Sequence, residues 1–343
     1  MSMNKPMNKV AVAAALALSL ALLPGLSACE GQVPQARRTE PQSTATTAPA
    51  PNLTPAQEAR IRKNIGAVLD QANEAKDPAG LDQRVSGPQL EIRTSELTIA
   101  RATGQLDPKT TIPTTIAQTV IPGDPGWPRS VFSITTTTQD QQSKRLLVLD
   151  QESAHDNYKL WGVARLFQGA QLPKFPVATI GARMGQGDDQ GLKATPVEAV
   201  RRYADLLQNP QGSKYVKEFA QDDFRNSLGT LTQVVQQGIE ANKGSQSQTF
   251  TPAQGQLRVM HSSDGGDLVV ARIDSVWTRQ AGEGRESSPA SDAETALFGQ
   301  GKPTSTMKVT YVNVIALYVP SADSHEPIRA VGAEREPIKV EAV

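Results

Sequence analysis

A single cysteine, Cys29, stands in a chain of 343 residues, so no disulfide can form within it, and folding must rely on burial alone. Aromatic residues make up only 4%, which argues against a broad stacking platform for sugars or nucleic-acid bases. Charge of one sign is also missing. Thirty-five basic residues balance 35 acidic ones, and no strong field exists to gather nucleic acid or an anionic surface. The three histidines, His155, His261 and His325, are far apart, and none has a second His or Cys at metal-ligand spacing. They read as surface or turn residues, and the expectation is no metal and no cofactor. No G-x-S-x-G elbow supplies a hydrolase nucleophile. The one long Gly-rich stretch, 181–191, lacks the Lys-Ser/Thr of a phosphate-binding loop and reads as a hinge. Its Asp188-Asp189 pair alone is a weak Ca²⁺ signal. These absences point away from an enzyme.

What is present begins at the N-terminus. Lys5 and Lys9 precede an apolar run over 10–23, interrupted only by Ser19, and Pro24-Gly25 ends it. This is the layout of a secretory signal peptide, too short for a comfortable transmembrane helix. The following Leu26-Ser27-Ala28-Cys29 resembles the lipobox of bacterial lipoproteins. That resemblance implies cleavage between Ala28 and Cys29, lipidation (palmitate among the acyl chains) of the Cys29 thiol, and anchoring on the extracytoplasmic face of the cell membrane. Each buried methylene contributes roughly 0.8 kcal/mol, so two or more acyl chains hold stably. Cys29→Ala is therefore expected to move the protein from the membrane fraction to the soluble one. Unchanged fractionation of that variant would refute the anchor.

Cleavage would leave about 315 residues, with 33 basic against 35 acidic. Residues 29–53 carry Pro34, Pro41, Pro49 and Pro51 among Thr, Ala and Gln, the composition of a disordered tether. Such a tether averages near ~27 Å as a coil and reaches roughly 70 Å as polyproline II.

A first α+β domain is expected over 54–178. Thr54, Pro55 and Gln57 form a capping-box helix start, and Ile61, Ile65, Val68, Leu69 and Ala72 share one face. Leu90, Ile92, Leu97 and Ile99 alternate with one slip of phase, which reads as a strand with a bulge near Ser95. Strands follow at 114–121, 130–138, 145–151 and 157–167. A Gly-rich linker covers 179–194, and a second α+β domain 195–343. The second opens on Thr195-Pro196-Val197-Glu198, another capped helix. Further helical stretches at 214–220 and 225–240 precede strands at 255–261, 268–279 and 306–319. A polar mobile loop is expected at 280–303, and edge strands at 328–331 and 337–343.

Helices followed by a long curved sheet, twice over, look like the NTF2-like or cystatin-like α+β superfamily. The segments LDQRVSGPQLEIR (81–93), YKLWGVARLFQGAQLP (158–173) and LKATPVEAVRRYADLL (192–207) also resemble an uncharacterised family of actinobacterial lipoproteins. That likeness implies compartment and architecture and brings no catalytic residues with it. Arg93, Tyr158 and Trp161 are the candidates for a pocket or interface: a cation in an apolar segment, and two aromatics beside Lys159 and Arg165. The function expected is a non-catalytic interaction or scaffolding module of the cell envelope, with an envelope protein as partner. The alternatives are a protein that holds a small apolar or lipid-like ligand in a cone-shaped pocket, and an envelope enzyme without a recognisable motif.

Overall fold

The computed structural model describes residues 50–137 and 143–343, all within one compact unit, 39–343. The signal peptide, Ala28, Cys29 and nearly all of the expected tether lie outside the described residues. No helix among those described is long and apolar enough to cross a membrane.

The fold is α+β. Helix α1 (Pro55–Ala75) opens with the expected reciprocal cap: Thr54 accepts from the Gln57 N–H, and the Gln57 side chain accepts from the Thr54 N–H. Residues 87–103 are helix α2 (Gly87–Thr103), not a bulged strand. Pro88 sits in the first turn, and the buried positions Gln89, Ile92, Arg93, Glu96 and Ala100 recur every three or four residues. The slip of phase that reads as a bulge is thus the 3.6-residue period.

Four strands follow: β1 (Ile116–Val120), β2 (Arg129–Thr135), β3 (Arg145–Gln151) and β4 (Lys159–Leu166). After the short β5 (Arg183–Gly185) come α3 (Pro196–Gln208), capped by Thr195, and α4 (Asp223–Glu240), capped by Asp222. The remaining elements are β6 (Ser245–His261), β7 (Asp267–Gln280), α5 (Asp292–Phe298), β8 (Thr306–Val319) and β9 (Arg329–Ala342). The expected helical stretch at 214–220 is a single tight turn, Val216–Glu218.

All nine strands join one antiparallel sheet in the order β1-β2-β3-β4-β9-β8-β7-β6-β5. Two expectations change here. The residues read as two edge strands form the single β9, which lies inside the sheet between β4 and β8. Pro337 is tolerated there because the pairing with β8 shifts register beside it, and its carbonyl instead accepts from Ser95 Oγ at 2.5 Å. The Gly-rich stretch read as a hinge contributes β5, which pairs with the end of β6.

The two halves of the sheet curl toward each other and share an inner core, including Phe132, Val148 and Trp161 from one half and Met260, Val270 and Val314 from the other. On the outer face of β2–β4, α1 buries Ile61, Ile65 and Leu69 against Val131, Leu147 and Leu149. On the outer face of β6–β9, α3 buries Val200, Tyr203 and Leu207 against Val259, Ile273 and Ile315. The junction between β4 and β9 rests on only two paired positions, Arg165 with Ala333 and Leu166 with Gly332.

Candidate functional site

An opening with a largely apolar lining lies under α1, a cavity of about 620 Å³. Its floor is Leu147, Leu149 and Leu160, from the sheet face that α1 covers. One wall is a stripe of α1 at helical spacing, Ala59, Arg62, Gly66 and Asn73. The other wall is the loop 106–114, which turns at Asp107: its carboxylate accepts from the Lys109 N–H at 2.9 Å. Gly66 matters to the volume. A Cβ built there meets nothing within 4 Å, so the absent side chain leaves empty space beside the helix.

Two arginines hold this loop to the helices. Arg62 donates Nε to Glu58 Oε1 at 2.6 Å and Nη1 to the Thr114 carbonyl at 3.1 Å. The same buried Glu58 oxygen accepts from Ser133 Oγ at 2.8 Å, which ties α1 to β2. Arg93, from α2, is only 3% exposed and lines the cavity. It donates Nη1 to Glu96 Oε2 at 2.5 Å, Nη2 to Asn73 Oδ1, and Nη1 weakly to the Thr110 carbonyl at 3.5 Å. Burial pushes the Glu96 carboxyl up, opposed by the Arg93 charge beside it. The Arg93 Nε–H is buried and has no hydrogen-bond partner among the described residues. Leaving such a donor unmade costs about 1–3 kcal/mol. The cavity therefore combines an apolar floor with a charged rim that includes exposed Lys63 and Asp70.

The other two candidates are not in this cavity. Tyr158 belongs to the core beneath α1, and burial pushes its pKa up to about 12, opposed by the charge of Arg129. Trp161 belongs to the inner core, with the Arg258 guanidinium 4.7 Å from its ring centre. A Cβ on Gly87 would lie 2.5 Å from that ring, so α2 begins hard against Trp161. Arg93, Tyr158 and Trp161 thus serve a cavity wall and two cores, and do not converge. Arg93 was legible as an oddity, a cation in an apolar segment. Asn73, Gly66 and the loop 106–114 carried no sequence signal, because their meeting depends on how α1 lies across the sheet.

His155 and His325 are exposed in turns. His261 is different. It ends β6 opposite Asp267 of β7, with Nδ1 2.6 Å from the Asp267 carboxylate. The turn 262–266 between β6 and β7 sets these two side chains face to face.

A family model described as "Domain of unknown function (DUF8094)" matches residues 49–341, and the chain belongs to that family. No curated protein and no solved structure matches the chain.

Proposed function

We propose that this member of the DUF8094 family is a membrane-anchored extracytoplasmic lipoprotein that holds a small, mostly apolar ligand in the cavity under α1 and catalyses no reaction on it. The observation that carries this reading is the cavity of about 620 Å³ with an apolar floor and a charged rim, with Arg93 among its lining residues. Ligand sites are typically ~300–1,000 Å³, mainly apolar, with few polar groups that fix orientation. Arg93 already neutralises Glu96, so the wall beside it suits a polar, uncharged end of a ligand rather than a full negative charge. A chain-like molecule with a carbonyl or similar oxygen at one end meets both demands.

The interaction-module reading has less support. It calls for a contiguous exposed apolar patch of several hundred Å². On α4 the exposed apolar side chains are Leu231 and Val234, too few for such a patch. We read the two halves, α1 and α2 with β1–β4, and α3 and α4 with β6–β9, as tandem units of the NTF2-like type fused through a shared sheet.

Gly66→Leu tests the ligand reading. The new side chain enters the cavity, and removing a mid-helix Gly gains up to about 1 kcal/mol of helix stability. Binding of an environment-sensitive fluorescent fatty-acid probe is expected to fall at least ten-fold, with thermal stability unchanged or higher. Probe binding equal to wild type in a folded Gly66→Leu protein would discard the cavity as the site.

A further inference from the structure

Three strand ends meet at β5, β6 and β7. β5 pairs with β6 through Arg183 with His261, and β6 pairs with β7 through His261 with Asp267. The segment after β5 turns back at Gln186, whose N–H donates to Asp189 Oδ2 at 2.6 Å and fixes that carboxylate. Asp189 Oδ2 then stands 3.7 Å from His261 Nε2, while His261 Nδ1 is 2.6 Å from Asp267 Oδ1. The three residues each present a ligand atom within 4.8 Å of the others.

Three features of this cluster suit a bound cation. First, Asp267 is 1% exposed, and its second oxygen, Oδ2, is buried without a hydrogen-bond partner among the described residues. Two carboxylates thus share one imidazole in a partly dry corner, an excess of negative charge that a dication would offset. Second, His261 Nδ1 is 2.6 Å from Asp267 Oδ1, while Nε2 stands 3.7 Å from Asp189 Oδ2, too far for a hydrogen bond and close enough for one ion to bridge the two atoms. Two ligands on one Zn²⁺ at bonds of about 2.0–2.2 Å stand roughly 3.3 Å apart, a few tenths from what is seen. Third, room is kept for the carboxylate. A Cβ on Gly185 would fall 2.5 Å from Asp189 Oδ2 and 3.1 Å from His261 Cε1.

We propose that Asp189 and His261 bind a divalent transition-metal ion, with Zn²⁺ the ion their donor set fits, and that Asp267 orients the histidine. His261 Nε2 and Asp189 Oδ2 are the direct ligands. Asp267 takes the outer position that a carboxylate commonly holds behind a metal-bound histidine, fixing its tautomer and ring. An imidazole with a carboxylate suits Zn²⁺ or Mn²⁺ better than Ca²⁺, which takes six to eight oxygens. The remaining positions fall to water, since His261 and Asp189 are partly exposed and a cavity of about 360 Å³ opens beside His261. Such a site exchanges its ion readily. The inference is independent of the ligand cavity under α1.

The test uses the tag-free full chain, stripped with chelator and titrated with Zn²⁺, Mn²⁺ or Ca²⁺ alone by calorimetry and thermal unfolding. One equivalent of Zn²⁺ is expected to bind and raise the unfolding temperature, with Ca²⁺ at least ten-fold weaker. Asp189→Asn and His261→Gln, both at partly exposed positions, are each expected to weaken Zn²⁺ at least ten-fold, with metal-free unfolding of each variant measured alongside to separate loss of the ion from loss of the fold. Asp267→Asn weakens it about 10- to 100-fold, the usual cost of losing an outer partner. In the wild type, Co²⁺ should give visible bands of nitrogen and oxygen ligation, a readout that needs no variant. Failure of Zn²⁺ to bind, or wild-type affinity in both Asp189→Asn and His261→Gln, would overturn the site.

Discussion

Glu336→Gln is expected to stabilise the protein at pH 8 and to flatten much of its pH dependence. Glu334 and Glu336 lie on β9, two residues apart, in the part of the sheet covered by α2. Burial pushes Glu334 up to about 7 and Glu336 up to about 9. The neighbouring Glu96 carboxylate raises both further, while Arg165, whose Nε is 2.9 Å from Glu334 Oε2, works the other way. Both folded values exceed the ordinary 4.5, so the native state binds protons that the unfolded chain has released. The stability linked to them is complete below pH 4.5 and is lost as pH rises through 7 for Glu334 and 9 for Glu336. Within those windows each group removes about 1.4 kcal/mol per pH unit. A glutamine cannot ionise. The stability gap between Glu336→Gln and wild type should therefore widen steadily from pH 5 to pH 8, by on the order of 1 kcal/mol per unit. Denaturant unfolding at pH 5, 6.5 and 8 measures it, and parallel curves would show that Glu336 is solvated and ordinary.

These carboxyls also mark where the sequence stops being readable. Local signals survive intact: the Thr54 cap, the Thr195 cap, and β3 and β8, whose observed bounds coincide with the expected ones. Each depends only on residues close in the chain. The misreadings share a different cause. Over 90–99, alternation and a helical stripe fit the same apolar residues, and only the packing of α2 on β4 and β9 decides between them. β9 reads in the sequence as two separate edge pieces, 328–331 and 337–343, because its polar middle, 334–336, breaks the apolar pattern. Its place between β4 and β8 is set by pairing Arg165 with Ala333, positions remote in sequence. The candidate cavity follows the same rule. Arg93 stood out as a cation among apolar neighbours, but its bond to Asn73 joins two helices through a fold that no local pattern encodes. The pairing of His261 with Asp267 follows the same rule, because the turn between them spans the five residues 262–266 and the ladder beyond it fixes the register.

Glu294→Leu should cost about 3–5 kcal/mol, the usual result of stranding a buried charge. Residues 280–303 read as a polar, mobile loop, yet they contain α5, whose Glu294 reaches back into the end of the sheet. Ser291 caps α5 by accepting from the Glu294 N–H at 3.2 Å. The Glu294 carboxylate accepts from the Ala290 N–H at 2.7 Å and from Arg279 Nη2 of β7, with the Tyr311 hydroxyl at 3.4 Å. Arg279 and Glu294 are each about 95% buried, and Arg279 Nε has no partner among the described residues. Once Glu294 is gone, the guanidinium keeps its full desolvation cost and has lost its counter-charge. The double variant Arg279→Met, Glu294→Leu removes both charges and should recover most of the loss, because buried pairs replaced by apolar groups are commonly neutral or better. Comparing wild type, both single variants and the double variant by denaturant unfolding gives the coupling directly. Equal destabilisation in Glu294→Leu and the double variant would mean that packing of α5, and not charge, holds the segment. A large recovery would instead show that Glu294 is needed to neutralise the buried Arg279, and that the segment stays ordered by packing once both charges are gone.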